Sequence, residues 1–344
     1  MISKMARTDS DTLAALCRMI GWGAVVLTIV FLFNNYLNFW RGWPGIPALL
    51  AHLGVYGDPL AQPLSGQALT LAWTQLVFYA LPAAAACIYV VRTPSQSMDL
   101  DSERISEIAA FIIRWAFWSV LIVGVVDVVI AFLRVENLLV QIAGEHIDRN
   151  FGRSAWRGAN IHYPIMAACF VIAYFVRSLG FTWLALLIVI AEVQIVIARF
   201  VFSYEQPFMA DLVRFWYGAL FLFASPYTLI HEGHVRVDIL YVGFSKVGKA
   251  WTNAMGSLLL GMPLCWVILH RGMDTKSSTI NGPLLSYEIT QSGFGMHVKW
   301  ILAAFLGVFA VSMMIQFASY FVSYAAVLLG RSQVEHEEEE PHFA

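Results

Sequence analysis

The sequence predicts an all-α integral membrane protein with about eight transmembrane helices. Of the 344 residues, 59% are hydrophobic and only 13% are charged, whereas a soluble domain carries about 25% charged residues. The apolar residues are gathered into separate runs. Most of these runs approach the ~20 residues that a helix needs to cross a hydrocarbon core of about 30 Å. Composition and run length therefore indicate the same class, a multi-pass membrane protein.

The predicted spans form an N-terminal block of four and a C-terminal block of four. Their approximate limits are 17–38, 69–91, 109–133, 162–178, 181–203, 209–230, 250–270 and 299–329. The fourth span is short and has Pro164 near its start, where a helix tolerates a proline. The polar segments between the runs are expected to form interfacial helices or loops.

The distribution of lysine and arginine predicts that both termini lie in the cytoplasm. With this orientation, ten basic residues lie on or near the cytoplasmic side: Lys4, Arg7, Arg18, Arg92, Arg104, Arg177, Arg236, Lys246, Lys249 and Arg331. The outer segment 39–68 holds only Arg41. The outer segment 134–161 departs from the rule, because it holds four arginines that three acidic residues partly offset. The acidic residues 332–344 are expected to form a solvated cytoplasmic tail.

Several classes of function are disfavoured by the sequence. No phosphate-binding pattern of the GxxxxGK[ST] or GxGxxG type is present, which argues against an ATP-driven pump. The net charge of −2 is too small to indicate a nucleic-acid partner. The four cysteines lie within apolar runs, where a disulfide framework is not expected.

The polar stretch HEGHVRVDIL, residues 231–240, is the candidate for a metal site. A zinc-binding helix of the H-E-x-x-H type needs two histidines four residues apart, whereas His231 and His234 are three apart. We therefore interpret the stretch as a cytoplasmic connection between two spans, and we expect no metal, no cofactor and no catalytic residue. Its charged and polar side chains are expected to fix the ends of neighbouring helices: Glu232, His234, Arg236 and Asp238.

Five ionisable residues lie within predicted spans or close to their ends. Glu192 and Arg199 are seven residues apart, nearly two turns, so they share one stripe of the fifth span. They are about 10 Å apart along the helix axis, so we expect a partner to meet them. Asp211 and Arg214 are three residues apart, which favours a local ion pair. Asp127 lies deep in the third span and has no local partner.

Residues 181 to about 329 resemble the small membrane subunit of the TRAP transporters, the tripartite ATP-independent periplasmic carriers. This Q-type or DctQ-like subunit is a four-helix membrane protein. Three motifs carry the resemblance in order: RFVF at 199–202, PFMADLVRFWYGALFLF at 207–223 and EGHVRVD at 232–238. The tryptophan and double glutamate that are common at the start of the second helix are here replaced: Phe208, Ala210 and Asp211.

The chain is longer than the usual small subunit and resembles enlarged members of that family. The resemblance implies an N-terminal membrane extension of about four helices (1–178), a DctQ-like four-helix core (179–331) and the acidic tail (332–344). The run FGRSAWRGANIHYP, residues 151–164, is also similar to a run in the longer group. Its role does not follow from the sequence.

The resemblance implies a non-catalytic subunit of a secondary transporter in the bacterial inner membrane. Its expected partners are the large, M-type membrane subunit, a periplasmic substrate-binding protein and membrane lipid, with no nucleic acid. The large subunit is expected to bind the substrate, commonly an organic acid, and the coupling ion, sodium. The small subunit is expected to scaffold it and to help dock the binding protein through outer segments 134–161 and 271–298. The candidates for the partner interface are then Glu192, Arg199, Asp211 and Arg214.

Two other classes of function remain open on the sequence. The chain could itself be a channel or proton-coupled carrier whose site is formed by Asp127, Glu192 and Arg199. It could also be a membrane enzyme or redox subunit that uses three histidines: His162, His231 and His234. Haem-binding histidines face each other in neighbouring spans, whereas these lie at span ends.

Overall fold

The computed structural model describes residues 2–178, 180–230, 241–290 and 295–332. These residues form helices and connecting segments, with no β-strand among them, so the predicted all-α class is confirmed. The polar stretch with Glu232, His234, Arg236 and Asp238 lies outside the described residues, as do residues 333–344 of the acidic tail.

The helices that are long and apolar enough to cross a membrane number eight within the described ranges, as predicted. In chain order they are α1 (Ile2–Phe39), α3 (Gly66–Arg92), α4 (Met98–Val135), α7–α8 (Ser154–Phe175), α9 (Phe181–Phe202), α10 (Pro207–Ile230), α11–α12 (Lys246–Met273) and α14 (Lys299–Leu328). Four short helices lie in the connecting segments: α2 (Gly45–His52), α5 (Leu138–Ala143), α6 (Glu145–Phe151) and α13 (Asn281–Ser286).

Two spans contain a π-helical turn shortly before a proline. The turn Gly158–His162 joins α7 to α8 two residues before Pro164, and the turn Ser257–Gly261 joins α11 to α12 two residues before Pro263. Proline lacks an N–H and its ring collides with the preceding turn of an α-helix. A wider turn relieves this conflict without ending the helix. The fourth span therefore begins earlier than the predicted residue 162.

The chain divides into two compact units. Unit 1 comprises Met1–Glu107, Val235–Leu264 and Met314–Ala344, and unit 2 comprises Ile108–His234 and Cys265–Met313. Each unit combines residues from both predicted blocks of spans. The regions 1–178 and 179–331 are divisions of the sequence and stay predictions.

In unit 1, a buried arginine ties together the ends of three helices. Arg18 of α1 pairs with Asp101 of α4. It also donates to both the backbone carbonyl (2.7 Å) and the hydroxyl (2.8 Å) of Thr93, which follows α3. Asp101 accepts a further bond from the hydroxyl of Tyr89, at 3.2 Å. The charge of Arg18 is thus paired, and each of its three guanidinium nitrogens has a hydrogen-bond partner inside the unit, as a buried ion pair requires.

A second set of polar contacts in unit 1 joins α4 to α14. The hydroxyls of Ser102 and Ser319 each donate to the backbone carbonyl of the other residue, at 3.0 and 2.8 Å. One turn further along, Ser106 donates to Gln316 at 3.0 Å. Small hydroxyl residues allow close approach between membrane helices and hydrogen-bond across them. The N-terminal block is thus bonded directly to the last helix of the C-terminal block.

The core of unit 2 is apolar and is built from α4, α9, α10 and α14. Its members include Val123, Leu184, Phe215, Trp216 and Phe305, which are all buried. A Cβ atom added at Gly124 of α4 would lie 2.4 Å from the indole Nε1 of Trp216. The glycine is therefore what lets the indole of α10 pack directly against α4.

Candidate functional site

A fully buried carboxylate, Asp127 of α4, lies at the centre of a polar cluster in unit 2. One carboxylate oxygen accepts from Arg157 Nη1 and from His162 Nε2, both at 2.9 Å. The other oxygen accepts from the backbone N–H of His297 at 2.7 Å. Asp127, Arg157 and His162 are each 0% exposed. We call these three side chains the Asp127 cluster.

The sequence indicated no local partner for Asp127, and the structure supplies distant ones. Its partners lie 30 and 35 residues further along the chain, and no local pattern links them to α4. Both come from the run FGRSAWRGANIHYP, to which the sequence assigned no role. The π-helical turn brings them together, because i→i+5 bonding places residues five apart, here Arg157 and His162, on nearly the same side of the helix.

Arg157 also holds the segment that precedes it. Its Nε and Nη2 atoms donate to the backbone carbonyl of Phe151, at 2.9 and 2.6 Å. A second arginine of the same segment, Arg134, pairs with Asp148 at 3.1 Å. Two of the four arginines in outer segment 134–161 are therefore neutralised inside the fold.

A second buried carboxylate holds the residue next to His297. Asp211 of α10 accepts from the backbone N–H of Met296 at 3.0 Å and from the hydroxyl of Thr290 at 3.1 Å. Consecutive backbone amides, 296 and 297, are thus bound by carboxylates from two different spans. We call residues 295–298, all of them buried, the clamped loop.

The clamped loop belongs to a longer connection whose ends are fastened to each other. The ammonium of Lys299 pairs with the carboxylate of Glu288 at 2.6 Å, and the backbone N–H of Trp300 donates to the carbonyl of Glu288 at 3.0 Å. The connection between α13 and α14 is therefore closed at its base as well as clamped near its end.

Aromatic rings cover the Asp127 cluster. The indole of Trp300 stacks on His162 with ring centroids 5.8 Å apart and meets Tyr287 edge-on at 5.3 Å. Tyr287 has a φ of 49°, a left-handed conformation that is strained for a large side chain. A Cβ atom at Gly158 would lie 2.5 Å from the Tyr287 ring. Glycine in the π-helical turn is therefore required for the ring to reach this position.

The histidine of the clamped loop is neutral near physiological pH. Burial, together with the positive charge of Arg157, lowers the pKa of His297 to about 4, and the negative charge of Asp127 only partly opposes this shift. The carboxylate of Asp127 is thus paired with the guanidinium of Arg157 and not with a charged His297. This is the arrangement in which a buried charge is tolerated.

The first two predicted interface residues lie on the outside of α9. Glu192 and Arg199 are both exposed. Arg199 has a neighbour within the chain, Glu205, at 3.6 Å, and both of these side chains are more than half exposed. Among the described residues, the carboxylate of Glu192 has no hydrogen-bond or ion-pair partner.

The predicted local pair of Asp211 and Arg214 forms with a separation of 3.8 Å. Its members differ in position, because Asp211 is buried in unit 2 while Arg214 is 73% exposed. Arg214 remains available to a partner, whereas Asp211 is occupied by the clamped loop. The structure therefore brings Asp211, and not Glu192 or Arg199, to the loop that Asp127 binds.

Within the described ranges, no three His, Cys, Asp or Glu side chains are arranged to hold a metal ion. Two grooves of about 290 and 200 Å³ open on the surface of α9 and share Gln194 and Gln206. Ligand pockets are clefts of about 300–1,000 Å³ that enclose most of a small molecule. Both grooves are smaller than this range.

These features define a multi-pass membrane protein whose internal polar groups are used to hold its own connections. Residues 185–326 match the family model of the tripartite ATP-independent periplasmic transporters, DctQ component. The matched region is similar to that component, and it includes most of α9 and of α14 with the spans between them. No curated protein and no solved structure matches the chain.

The family match confirms the predicted resemblance to a DctQ-like subunit preceded by an N-terminal extension. The match supports a small permease subunit of a TRAP transporter, and with the eight apolar helices it supports a multi-pass protein of the inner membrane. The family is a transporter component and not an enzyme family. Such a component works with a large membrane subunit and a substrate-binding protein.

Proposed function

We propose that the exposed face of α9 binds the large membrane subunit and that the chain scaffolds it. The buried residues of α9 form a single stripe: Leu184, Ile188, Ala191 and Ala198. The remaining surface of the helix is exposed and mostly apolar. One stripe is therefore enough to hold α9 in unit 2, and the rest of the helix is available to another surface.

The single observation that carries this proposal is the position of Glu192. It lies midway along the 22 residues of α9, so at ~1.5 Å per residue it is about 15 Å from either end of the helix. The exposed Val189 and Val196 flank it one turn away on either side. A carboxylate that faces lipid at mid-membrane costs a few kcal/mol, and contact with a polar group of another protein removes this cost.

The test is to separate assembly from turnover. We expect Glu192→Gln and Arg199→Ala to lower the amount of large subunit that co-purifies with the tagged chain, while uptake per assembled complex stays near the wild-type value. Glu103→Gln is the matched control, because it removes the same charge from an exposed side chain of α4 in unit 1, whereas α9 belongs to unit 2. Unchanged co-purification of the Glu192 variant would refute the scaffold proposal.

We also propose that outer segments 134–161 and 271–298 help to dock the periplasmic binding protein. The proposal is supported by their polarity, by the predicted orientation, and by the contacts that hold residues 134–161, 288 and 295–298 within unit 2. Reversing exposed charges in them, with Glu145→Lys and Lys276→Glu, should reduce uptake that depends on the binding protein. Asp58→Lys, in the other long outer segment, is the control, and equal uptake by all three variants would contradict docking at these segments.

The substrate class and the coupling ion rest on the resemblance alone. We propose an organic acid and sodium, both bound mainly by the large subunit. Proteoliposomes that contain both membrane subunits and the binding protein should accumulate carboxylates when a sodium gradient is imposed. A potassium gradient should not replace it. Uptake driven equally well by potassium would exclude sodium coupling.

The competing hypothesis of a self-sufficient carrier requires Asp127, Glu192 and Arg199 to form one site. The hydrogen bonds of Asp127 go to Arg157, His162 and His297 inside unit 2, whereas Glu192 and Arg199 are on the outside of α9. The purified chain alone should therefore conduct no solute in liposomes. Solute movement by the chain alone that Asp127→Asn abolishes would favour the carrier instead.

A further inference from the structure

We propose that Asp127, Arg157 and His162 are positioning residues for docking of the binding protein, acting through the clamped loop. The inference rests on the docking function proposed above for segments 134–161 and 271–298. It gives the N-terminal extension a specific task, which is to complete a surface that the DctQ region forms only in part.

Two carboxylates accept hydrogen bonds from the clamped loop, one from inside the family-matched region and one from outside it. Asp211, which binds the Met296 amide, lies within the region 185–326 that matches the family. Asp127, which binds the His297 amide, lies outside the matched region. Carboxylates bound to backbone amides fix the path of the main chain whatever side chains the loop carries. The extension therefore sets the course of a loop that belongs to the family core.

Arg157 connects the two outer segments to each other. Through Asp127 it is joined to the clamped loop of segment 271–298, and through the carbonyl of Phe151 it is joined to segment 134–161. A partner that contacts both segments needs them in one fixed arrangement. The same guanidinium supplies that arrangement before the partner binds, so less ordering remains to be done on binding.

The supporting roles within the cluster differ. Arg157 neutralises a carboxylate that would otherwise be a buried, uncompensated charge, and the loss of one member of such a pair costs several kcal/mol. His162 donates to the same oxygen as Arg157, which leaves the second oxygen directed at the His297 amide. Trp300 stacks on His162 and holds the ring in that orientation.

The experiment compares two buried aspartates of the same helix. Asp127→Asn removes the charge at the clamped loop, and Asp101→Asn removes an equally buried charge, paired with Arg18, in unit 1. Each variant is assembled with the large subunit in proteoliposomes. Two quantities are measured: hydrogen exchange of peptides that contain residues 295–298, and uptake as a function of binding-protein concentration.

We expect Asp127→Asn to speed exchange at residues 295–298 and to raise the binding-protein concentration for half-maximal uptake about tenfold, with the maximal rate within about twofold of wild type. A tenfold change corresponds to about 1.4 kcal/mol. Asp101→Asn should change neither quantity, even where it lowers the melting temperature. If Asp127→Asn alone does not assemble, the double variant with Arg157→Gln removes both buried charges and is measured in its place.

Each other outcome overturns the inference. Unchanged exchange at residues 295–298 would show that the cluster does not hold the loop, while the charge reversals described above would still test docking separately. Faster exchange with an unchanged binding-protein dependence would show that the clamped loop takes no part in docking. If Asp101→Asn changed the exchange and the binding-protein dependence by the same amounts, general destabilisation would explain the result for Asp127→Asn.

Discussion

At the scale of single residues, unit 2 uses its buried charges to bind backbone rather than to form a site for a ligand. Asp127 and Asp211 each accept an amide N–H of the clamped loop. The sequence identified both aspartates and paired Asp211 with Arg214 correctly. It did not identify the loop as their partner, because the loop lies 170 and 85 residues further along the chain.

A substitution at Gly158 tests how closely the π-helical turn packs against the ring of Tyr287. Gly158→Ala should lower stability by about 1–3 kcal/mol, since an added methyl group would overlap the ring of Tyr287. Gly23→Ala in α1 is the control, because nothing lies within 4 Å of its added Cβ. Thermal unfolding in detergent measures both variants. Equal melting temperatures would mean that Tyr287 moves away freely.

His297 makes stability depend on pH in a defined window. Its folded pKa of about 4 lies below its ordinary value of 6.5, so the unfolded chain binds the proton first as the pH falls. Above pH 6.5 this histidine is neutral in both states and leaves the free energy of unfolding unchanged. Between pH 6.5 and pH 4 protonation of the unfolded chain lowers the free energy of unfolding, by an amount on the order of 3 kcal/mol in total. The charged and titratable groups that influence this histidine are Arg157, Asp127, Arg134 and His162.

The measurement is the difference in melting temperature between pH 7.5 and pH 5. We expect a smaller difference in His297→Asn than in the wild type. His146→Asn, which changes an exposed histidine of α6, should keep the wild-type difference. A full wild-type difference in His297→Asn would assign the pH dependence to other groups.

At the scale of helices, hydrophobic run length predicted all eight spans because the requirement it reflects, crossing a hydrocarbon layer, acts on each helix alone. The predicted limits were too short where a helix continues into polar residues beyond its apolar run, as at the start of α4, and where a helix departs from regular geometry. The fourth span starts at Ser154, inside a segment with three charged residues between 148 and 153. Neither hydropathy nor the position of Pro164 reveals a π-helical turn that lets the helix extend N-terminal to the proline.

Shortening a side chain to alanine should affect stability on one face of α9 and assembly on the other. Leu184→Ala removes a buried side chain of unit 2 and should lower the stability of the isolated chain by about 2–5 kcal/mol. Val189→Ala changes a side chain beside Glu192 that is mostly exposed. It should leave the isolated chain unchanged and lower the yield of assembled complex. The reverse pattern would place the partner on the other side of α9.

At the scale of the whole molecule, the family match covers the last four spans, while contacts divide the chain differently. Ser102 bonds to Ser319 in unit 1, and Asp127 bonds to His297 in unit 2. In both units an N-terminal residue is joined to the family region. Sequence similarity groups residues by their order in the chain, and such long-range hydrogen bonds leave no trace in that order.

The predicted orientation of the molecule is open to a direct test. With both termini in the cytoplasm, residue 146 lies outside and residue 95 lies inside. A membrane-impermeant thiol reagent applied to spheroplasts should label His146→Cys, and it should label Ser95→Cys only after lysis; both positions are exposed in the fold. The opposite labelling would invert the predicted orientation.

The π-helical turn at Gly158–His162 also has a consequence for comparing this chain with its relatives. A helix rotates by about 100° per residue. One residue more or fewer in this turn therefore rotates all following side chains about the helix axis to another face. A relative with a regular α-helix here would be one residue shorter and would align only across a gap within 158–162. Such a relative could not direct both an arginine at 157 and a histidine at 162 onto one carboxylate. A single gap in an alignment would thus mark which enlarged subunits carry the Asp127 cluster and which do not.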